Sequence, residues 1–491
     1  MNRRTLAWLA TLCLTVHGAP GALAQASPRG KPAPAKTVER KNRAPVNKEI
    51  LRVRLPRPQE VKLPNGLSVV VLEHHKLPVV NCALWIKTGA LADPKELTGL
   101  AKFTAEMLRE GTAHRSSTQL ASDVDEIGAT LSATADYGAS VSTVVASGLA
   151  ENADRILELM SDMVLNPAFP GEELEKYKSR QLAALQQQRS SPVFVAREKL
   201  FQVLYRDFPA AIVSATPDSV GAVTAAYLQQ FHSRYYVPGN AIMGVVGDLS
   251  PERGVELIKK YFGEWKDHPV EQPSVGAVPA PAPAKVYLID RPDSVQTNIV
   301  AGNYAVRRAD PEFVPLTVMN RILGGGPSAR LFLNLREEKG YTYGVYSDFS
   351  ADIYRGAWIT NTEVQTAVTD GALHELMAEF KRIRERRVPQ AELDEARRAI
   401  VAGFALSLEQ PAALLDSWLL VKYYNLSADY WDRYTQEVAK VNAEAVQQAA
   451  QKFVDLEHLQ IVCVGDGKQI KDVLKKYGAL EVYDTDGKRI E

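Results

Sequence analysis

Ala241-Ile-Met-Gly-Val-Val-Gly-Asp-Leu249 and Leu459-Gln-Ile-Val-Cys-Val-Gly-Asp-Gly467 spell the same unit twice, roughly 220 residues apart. Each is an apolar run long enough for a buried strand, closed by a Gly-Asp turn. An amphipathic helix follows in both copies, over 254–262 and 468–477, with Lys-Lys-Tyr at or near its end. A repeat of this period signals duplicated domains, because solenoid units are only about 20–50 residues long. Between the copies, residues 269–284 carry proline at five positions and end Val-Pro-Ala-Pro-Ala-Pro-Ala. That composition makes a semi-rigid linker. It divides the chain into an N-terminal domain over 53–268 and a C-terminal domain over 285–491.

Outward from the repeat, strand-like runs stand at 67–72, 79–87 and 129–147, the last rich in Thr, Ser, Val and Ala. Helical patterns cover 152–164, 172–189 and 224–231 in the first half, and 314–322, 366–386 and 390–408 in the second. Strands in sets with helices between them, without a strict strand–helix–strand rhythm, predict an α+β fold of two homologous α/β sandwiches.

The first 24 residues read as a secretory signal: Asn2-Arg3-Arg4, an apolar run over 6–16, and Ala22-Leu23-Ala24 before Gln25. A membrane anchor is the other reading, but the run is shorter than the roughly 20 residues a span needs. The expected location is therefore the periplasm. No later run is apolar enough to span a membrane. Residues 25–52 are rich in Pro, Ala, Lys and Arg and are expected to be a disordered leader.

Lys+Arg and Asp+Glu both number 58, so nothing global points to nucleic acid or an acidic surface. Cys13 would leave with the signal. Cys82 and Cys463 each sit in an apolar run, in different halves. A disulfide is open to an exported protein, while two unrelated buried thiols are the commoner fate of free cysteines.

Several stretches in order resemble the insulinase–pitrilysin family. They are Leu63-Pro-Asn-Gly-Leu-Ser-Val-Val-Val71, Leu77-Pro-Val-Val80, Trp85-Ile-Lys-Thr-Gly89, Gly128-Ala-Thr-Leu-Ser-Ala133 and Tyr235-Tyr-Val-Pro-Gly-Asn-Ala241. Gly99-Leu-Ala-Lys-Phe-Thr-Ala-Glu-Met-Leu108 is similar to the family's zinc-binding helix, in which two histidines at i and i+4 hold the metal and a glutamate acts as base. Here those places hold Lys102, Ala105 and Glu106. A protonated ammonium has no lone pair for a metal, and a methyl group accepts no proton. The place of the family's third ligand, a glutamate on the 172–189 helix, falls at Ala184. The resemblance thus implies a chain with no metal of its own. His74, His75 and His114 lack ligand spacing and read as solvated loop histidines. Lys102 and Glu106 can pair along the helix in place of the metal.

Leu323-Gly-Gly-Gly-Pro-Ser-Ala-Arg-Leu-Phe-Leu-Asn-Leu-Arg-Glu-Glu-Lys-Gly-Tyr-Thr-Tyr-Gly-Val-Tyr346 resembles the family's C-terminal-domain signature. In that signature an Arg and a Tyr seven residues on hold substrate and stabilise charge at the scissile carbonyl, places filled by Arg336 and Tyr343. A guanidinium and a phenol are suitable donors for that work. The plainer readings are an Arg336 ion pair with Glu337 or Glu338, and a core tyrosine on an edge strand. The triple glycine 324–326 lacks the Gly-Lys-Ser/Thr ending of a phosphate loop and reads as a turn.

The resemblance implies a non-catalytic, substrate-binding subunit of an exported heteromeric zinc metallopeptidase acting on peptides. Zinc would be carried by a homologous H-x-x-E-H partner, and each chain would form half of a clamshell. The alternative is a stand-alone peptide-binding or scaffold protein with no peptidase activity.

Overall fold

In the strand Ser68–Glu73, Val69 and Val71 face one core while Val70 and Leu72 face another. This alternation with apolar residues on both sides marks strands covered on both faces, and it recurs through the centre of both sheets. The computed structural model describes residues 51–272 and 276–491; the expected signal peptide and nearly all of the leader lie outside them.

The strands are β1 (Gln59–Lys62), β2 (Ser68–Glu73), β3 (Val79–Ile86), β4 (Thr130–Thr134), β5 (Ser142–Leu149), β6 (Ala241–Gly247), β7 (Lys285–Asp290), β8 (Gln296–Tyr304), β9 (Thr342–Phe349), β10 (Ala357–Gln365), β11 (Gln460–Gly465) and β12 (Leu480–Tyr483). They form two six-stranded sheets, β1-β2-β6-β3-β5-β4 and β12-β7-β11-β8-β10-β9. Five strands correspond one to one, with β2 beside β6 and β7 beside β11 parallel and the following pairs antiparallel. The repeated stretch supplies β6 and β11, the strand second from the parallel end in each set. The fold is thus α+β and duplicated, as the repeat predicts. Only the outermost strands differ, β1 being antiparallel to β2 and β12 parallel to β7.

The expected run over 129–147 is two strands joined by a turn with Gly138 at φ 71°. Gly138 takes a left-handed conformation that lacks a steric penalty only in glycine. This turn meets its counterpart between β9 and β10: the Tyr354 hydroxyl donates to the Gly138 carbonyl at 2.9 Å, and Ser140 donates to Asp352.

Each sheet is covered on one face by its own helices and on the other by a helix from the opposite half. Pro192–Tyr205 lies on β8 and β11, with Ala196, Leu200, Leu204 and Tyr205 packed against Val300, Tyr304, Val462 and Val464. Pro411–Tyr423 lies on β6, β3 and β2, with Leu415, Trp418 and Leu419 against Val70, Ile242 and Val246. Both helices open with proline at the first turn, where its missing N–H costs nothing. Gly244 on β6 admits the second of them, since a Cβ there would stand 2.6 Å from Leu415 Cδ1. The sequence boundary at 269–284 therefore separates the sheets but not the packing.

Cys82 and Cys463 are both free and buried, one in each sheet, and burial pushes both thiols up to about 12. Among the described residues no single helix is long and apolar enough to cross a membrane.

Candidate functional site

The helix Leu100–Met107 starts at Gly99, whose φ of 95° turns the chain, and Asp93 fastens that start. Its carboxylate accepts the Gly99 N–H at 2.7 Å and the Ala101 N–H at 2.8 Å. Burial pushes Asp93 up to about 7, against the pull of those N–H donors. On this helix Lys102 and Glu106 form an ion pair along one face, both side chains mostly buried. The second Glu106 oxygen accepts a hydrogen bond from the Tyr177 hydroxyl. Tyr177 also meets the Phe103 ring edge-on at 4.8 Å. Burial, then Glu106, raises the Tyr177 phenol far above its ordinary value, so it stays protonated and donates. Ala105 is wholly buried in the first core.

Tyr177 was not singled out by the sequence reading. It comes from Gly171–Arg189, the helix expected to bear the third metal position, but Ala184 lies exposed further along it. The side chain that this helix sets against position 106 is Tyr177. A lone tyrosine on a helix carries no spacing signal, and its acid partner lies 71 positions away, so only the packing of two helices reveals it.

These residues do not fit a zinc ion. Lys102 offers no lone pair, both Glu106 oxygens are engaged, Tyr177 is held protonated and Ala105 and Ala184 carry no donor. Among the described residues no group of three or more His, Cys, Asp or Glu could hold a metal. His75 lies between Glu73 at 2.6 Å and Asp248 at 2.5 Å, and hydrogen bonds to Asp248 and then Glu73 raise its pKa. His114 bonds Asp162 at 2.6 Å.

In the second half the structure brings Arg336 and Tyr343 together. Phe332–Glu338 is a π-helical segment ending beside the start of β9. Arg336 Nη1 donates to the Tyr343 carbonyl at 2.9 Å, and its guanidinium stands 4.9 Å from the Phe332 ring centre. Glu337 comes no nearer than 3.5 Å, so the expected ion pair is secondary to the backbone bond. Tyr343 is 89% exposed, which rules out a core tyrosine. A bulge aims it outward: Thr342 pairs with Val364 and Val345 with Thr362, leaving Tyr343 and Gly344 opposite Glu363 alone. Thr342 and Thr362 hydroxyls both donate to the Gly344 carbonyl and pin that bulge.

Two supports escaped the sequence reading. Asn334 donates to Glu375 and to the buried Glu379, both at 2.9 Å, tying the π-helical segment to Thr369–Glu385. The glycine turn has a different task from a flexible loop. The Gly324 carbonyl accepts the Ser347 N–H at 2.9 Å, covering the outer edge of β9 at that point. In the first sheet β4, which holds most of the stretch Gly128 to Ala133, is the corresponding edge strand.

Comparison with known proteins gives the family and the fold. The family model described as Insulinase (Peptidase family M16) matches residues 69–218, and that described as Peptidase M16 inactive domain matches 222–400. The chain belongs to the insulinase family, peptidase family M16. An uncharacterized zinc protease of Bacillus subtilis, YmxG, is 24% identical over 402 residues, spanning 79% of this chain and 94% of its own. One of Mycobacterium leprae is 29% identical over 301 residues, 59% of this chain and 66% of its own. Among solved structures, a peptidase M16 inactive domain from Pseudomonas fluorescens superposes with a TM-score of 0.78 at 27% identity, covering 84% of this chain and 98% of that one. A protease from Helicobacter pylori shares the fold, with a TM-score of 0.79 at 19% identity over 84% of this chain and 100% of that one. Lys102, Ala105 and Glu106 are the residues this chain carries on the helix that resembles the family's zinc-binding helix.

Proposed function

We propose that this M16 homologue is the non-catalytic, substrate-binding subunit of an exported heteromeric zinc peptidase. Its partner is a homologous chain bearing H-x-x-E-H and the zinc. One observation carries the reading: Arg336 and Tyr343 stand together and open to solvent, while Lys102, Glu106 and Tyr177 satisfy one another where the metal would sit. The first set are donors suited to a peptide carbonyl or an oxyanion, and they need a hydrolytic centre from elsewhere. The free edge of β4 supports peptide binding by strand addition. The two sheets of this chain and two of the partner would then enclose the substrate as a clamshell. Export, with loss of residues 1–24, belongs to the same reading.

The test is reconstitution with an H-x-x-E-H homologue, both chains being taken from the periplasmic fraction. Alone, this chain should retain no stoichiometric zinc after dialysis and cleave no peptide. The pair should cleave, and Arg336→Ala or Tyr343→Phe should leave association intact while lowering activity roughly 10²–10³-fold, mostly in kcat. A rise mostly in KM instead would assign both residues to ground-state grip on the peptide. Full activity with both variants would make the pair structural and favour a scaffold without peptidase function.

A further inference from the structure

Arg308, just beyond β8, is a buried cation with no acid in ion-pair contact among the described residues. It is 6% exposed, and its guanidinium lies 4.0 Å from the Phe313 ring centre and 4.9 Å from that of Tyr430. Nη1 donates to the Tyr430 hydroxyl at 2.8 Å, the only side-chain partner found for its five N–H donors among the described residues. The two acids that line the same cleft are paired with other cations, Asp310 with Arg307 at 2.8 Å and Glu437 with Lys440 at 2.8 Å, and the Asp352 carboxylate accepts from Ser140 and Tyr424. Aromatic faces offset part of the cost of burying a guanidinium, but they are weaker partners than an anion.

The same arginine lines an open cleft of about 620 Å³ between the start of helix Phe313–Leu323 and helix Tyr430–Lys440. That helix start has no side-chain cap, and among the described residues the Val314 N–H has no acceptor. Phe313, Tyr434 and Val441 supply apolar wall. Neither Arg336 nor Tyr343 lines this cleft.

We propose that the cleft binds a small carboxylate with an apolar body. Arg308 and the Tyr430 hydroxyl hold the carboxylate, and Phe313, Tyr434 and Val441 take the body. Charge selects a single negative group: the lining cations Arg308, Arg433 and Lys440 exceed the acids Asp310 and Glu437 by one. A doubly charged phosphate ester would face those two acids with its charge only half matched. Such a carboxylate reaches the cleft either as a free small acid or as the last residue of a peptide. The assignment stands apart from the peptidase reading and does not need a partner chain.

Calorimetric titration of the full mature chain distinguishes these cases, with hexanoate, hexanamide, and the tripeptide N-acetyl-Ala-Ala-Leu as its free acid and its amide. At least one acid should bind, and its amide should bind roughly 10-fold or more weakly, as expected for losing a charge-assisted hydrogen bond. Arg308→Lys should weaken the acid about 10-fold, and Tyr430→Phe, which keeps the packed ring, should weaken it several-fold. Equal binding of both acids identifies a free small carboxylate as sufficient, and binding of the tripeptide acid alone identifies a peptide terminus. The proposal is overturned if neither acid binds, if acids and amides bind alike, or if both folded variants keep wild-type affinity.

Discussion

Lys102, Glu106 and Tyr177 form a packed polar cluster in which each group satisfies another. Lys102, Ala105 and Glu106 were legible residue by residue as the occupants of this helix. The tyrosine that fills the space was not, since its contact spans 71 positions in sequence. A second buried polar residue should make the fold sensitive to acid. His232 donates from Nε2 to the Val164 carbonyl at 2.8 Å and stacks on Tyr236, and burial lowers its pKa from 6.5 to about 4. Below pH 6.5 the unfolded chain takes up a proton that the folded chain refuses. Stability should therefore fall as pH drops from about 6.5 to about 4, by on the order of 3 kcal/mol from this residue. His232→Gln keeps a donor for Val164 and removes the titration. Urea denaturation across that range should show a shallower acid loss for the variant, whereas parallel curves would assign the loss to other groups.

At the scale of the element, β9 depends on features that its own residues do not announce. Alternation in Thr342–Phe349 marks a strand, but the bulge at Tyr343 and Gly344 arises only in register with β10. The glycines 324–326 read as a turn, and the register of Ser347 explains why the first must be glycine. A Cβ on Gly324 would stand 2.4 Å from Ser347 Oγ and 2.6 Å from Ser347 N, too near for either to remain in place. Gly324→Ala should break the Ser347 N–H bond and displace the edge, costing about 1–3 kcal/mol. Hydrogen exchange should find the Ser347 amide less protected in this variant than in wild type. Unchanged protection would mean that the turn yields without disturbing the strand.

For the whole molecule, the crossing helices make the two halves one cooperative unit. Trp418 is 2% exposed beneath the first sheet, its Nε1 donates to the Pro56 carbonyl at 3.1 Å, and the Arg57 guanidinium covers its ring at 5.3 Å. Trp418→Ala should cost about 3–5 kcal/mol. It lies in the chain of one half and the core of the other, so calorimetry should show a single transition moved to lower temperature. Two transitions, with only one of them displaced, would show that the halves unfold independently. By itself the sequence determined the duplication and the α+β class, because these are written in local patterns of apolar residues and turns. Only the tertiary structure decided that Pro192–Tyr205 and Pro411–Tyr423 change halves, that Tyr177 closes the cluster at Glu106, and that Arg308 is buried against the rings of Phe313 and Tyr430. An apolar helix face records that it must be covered, not by what. A polar side chain likewise records what it can bond, not which distant residue the fold will bring to it.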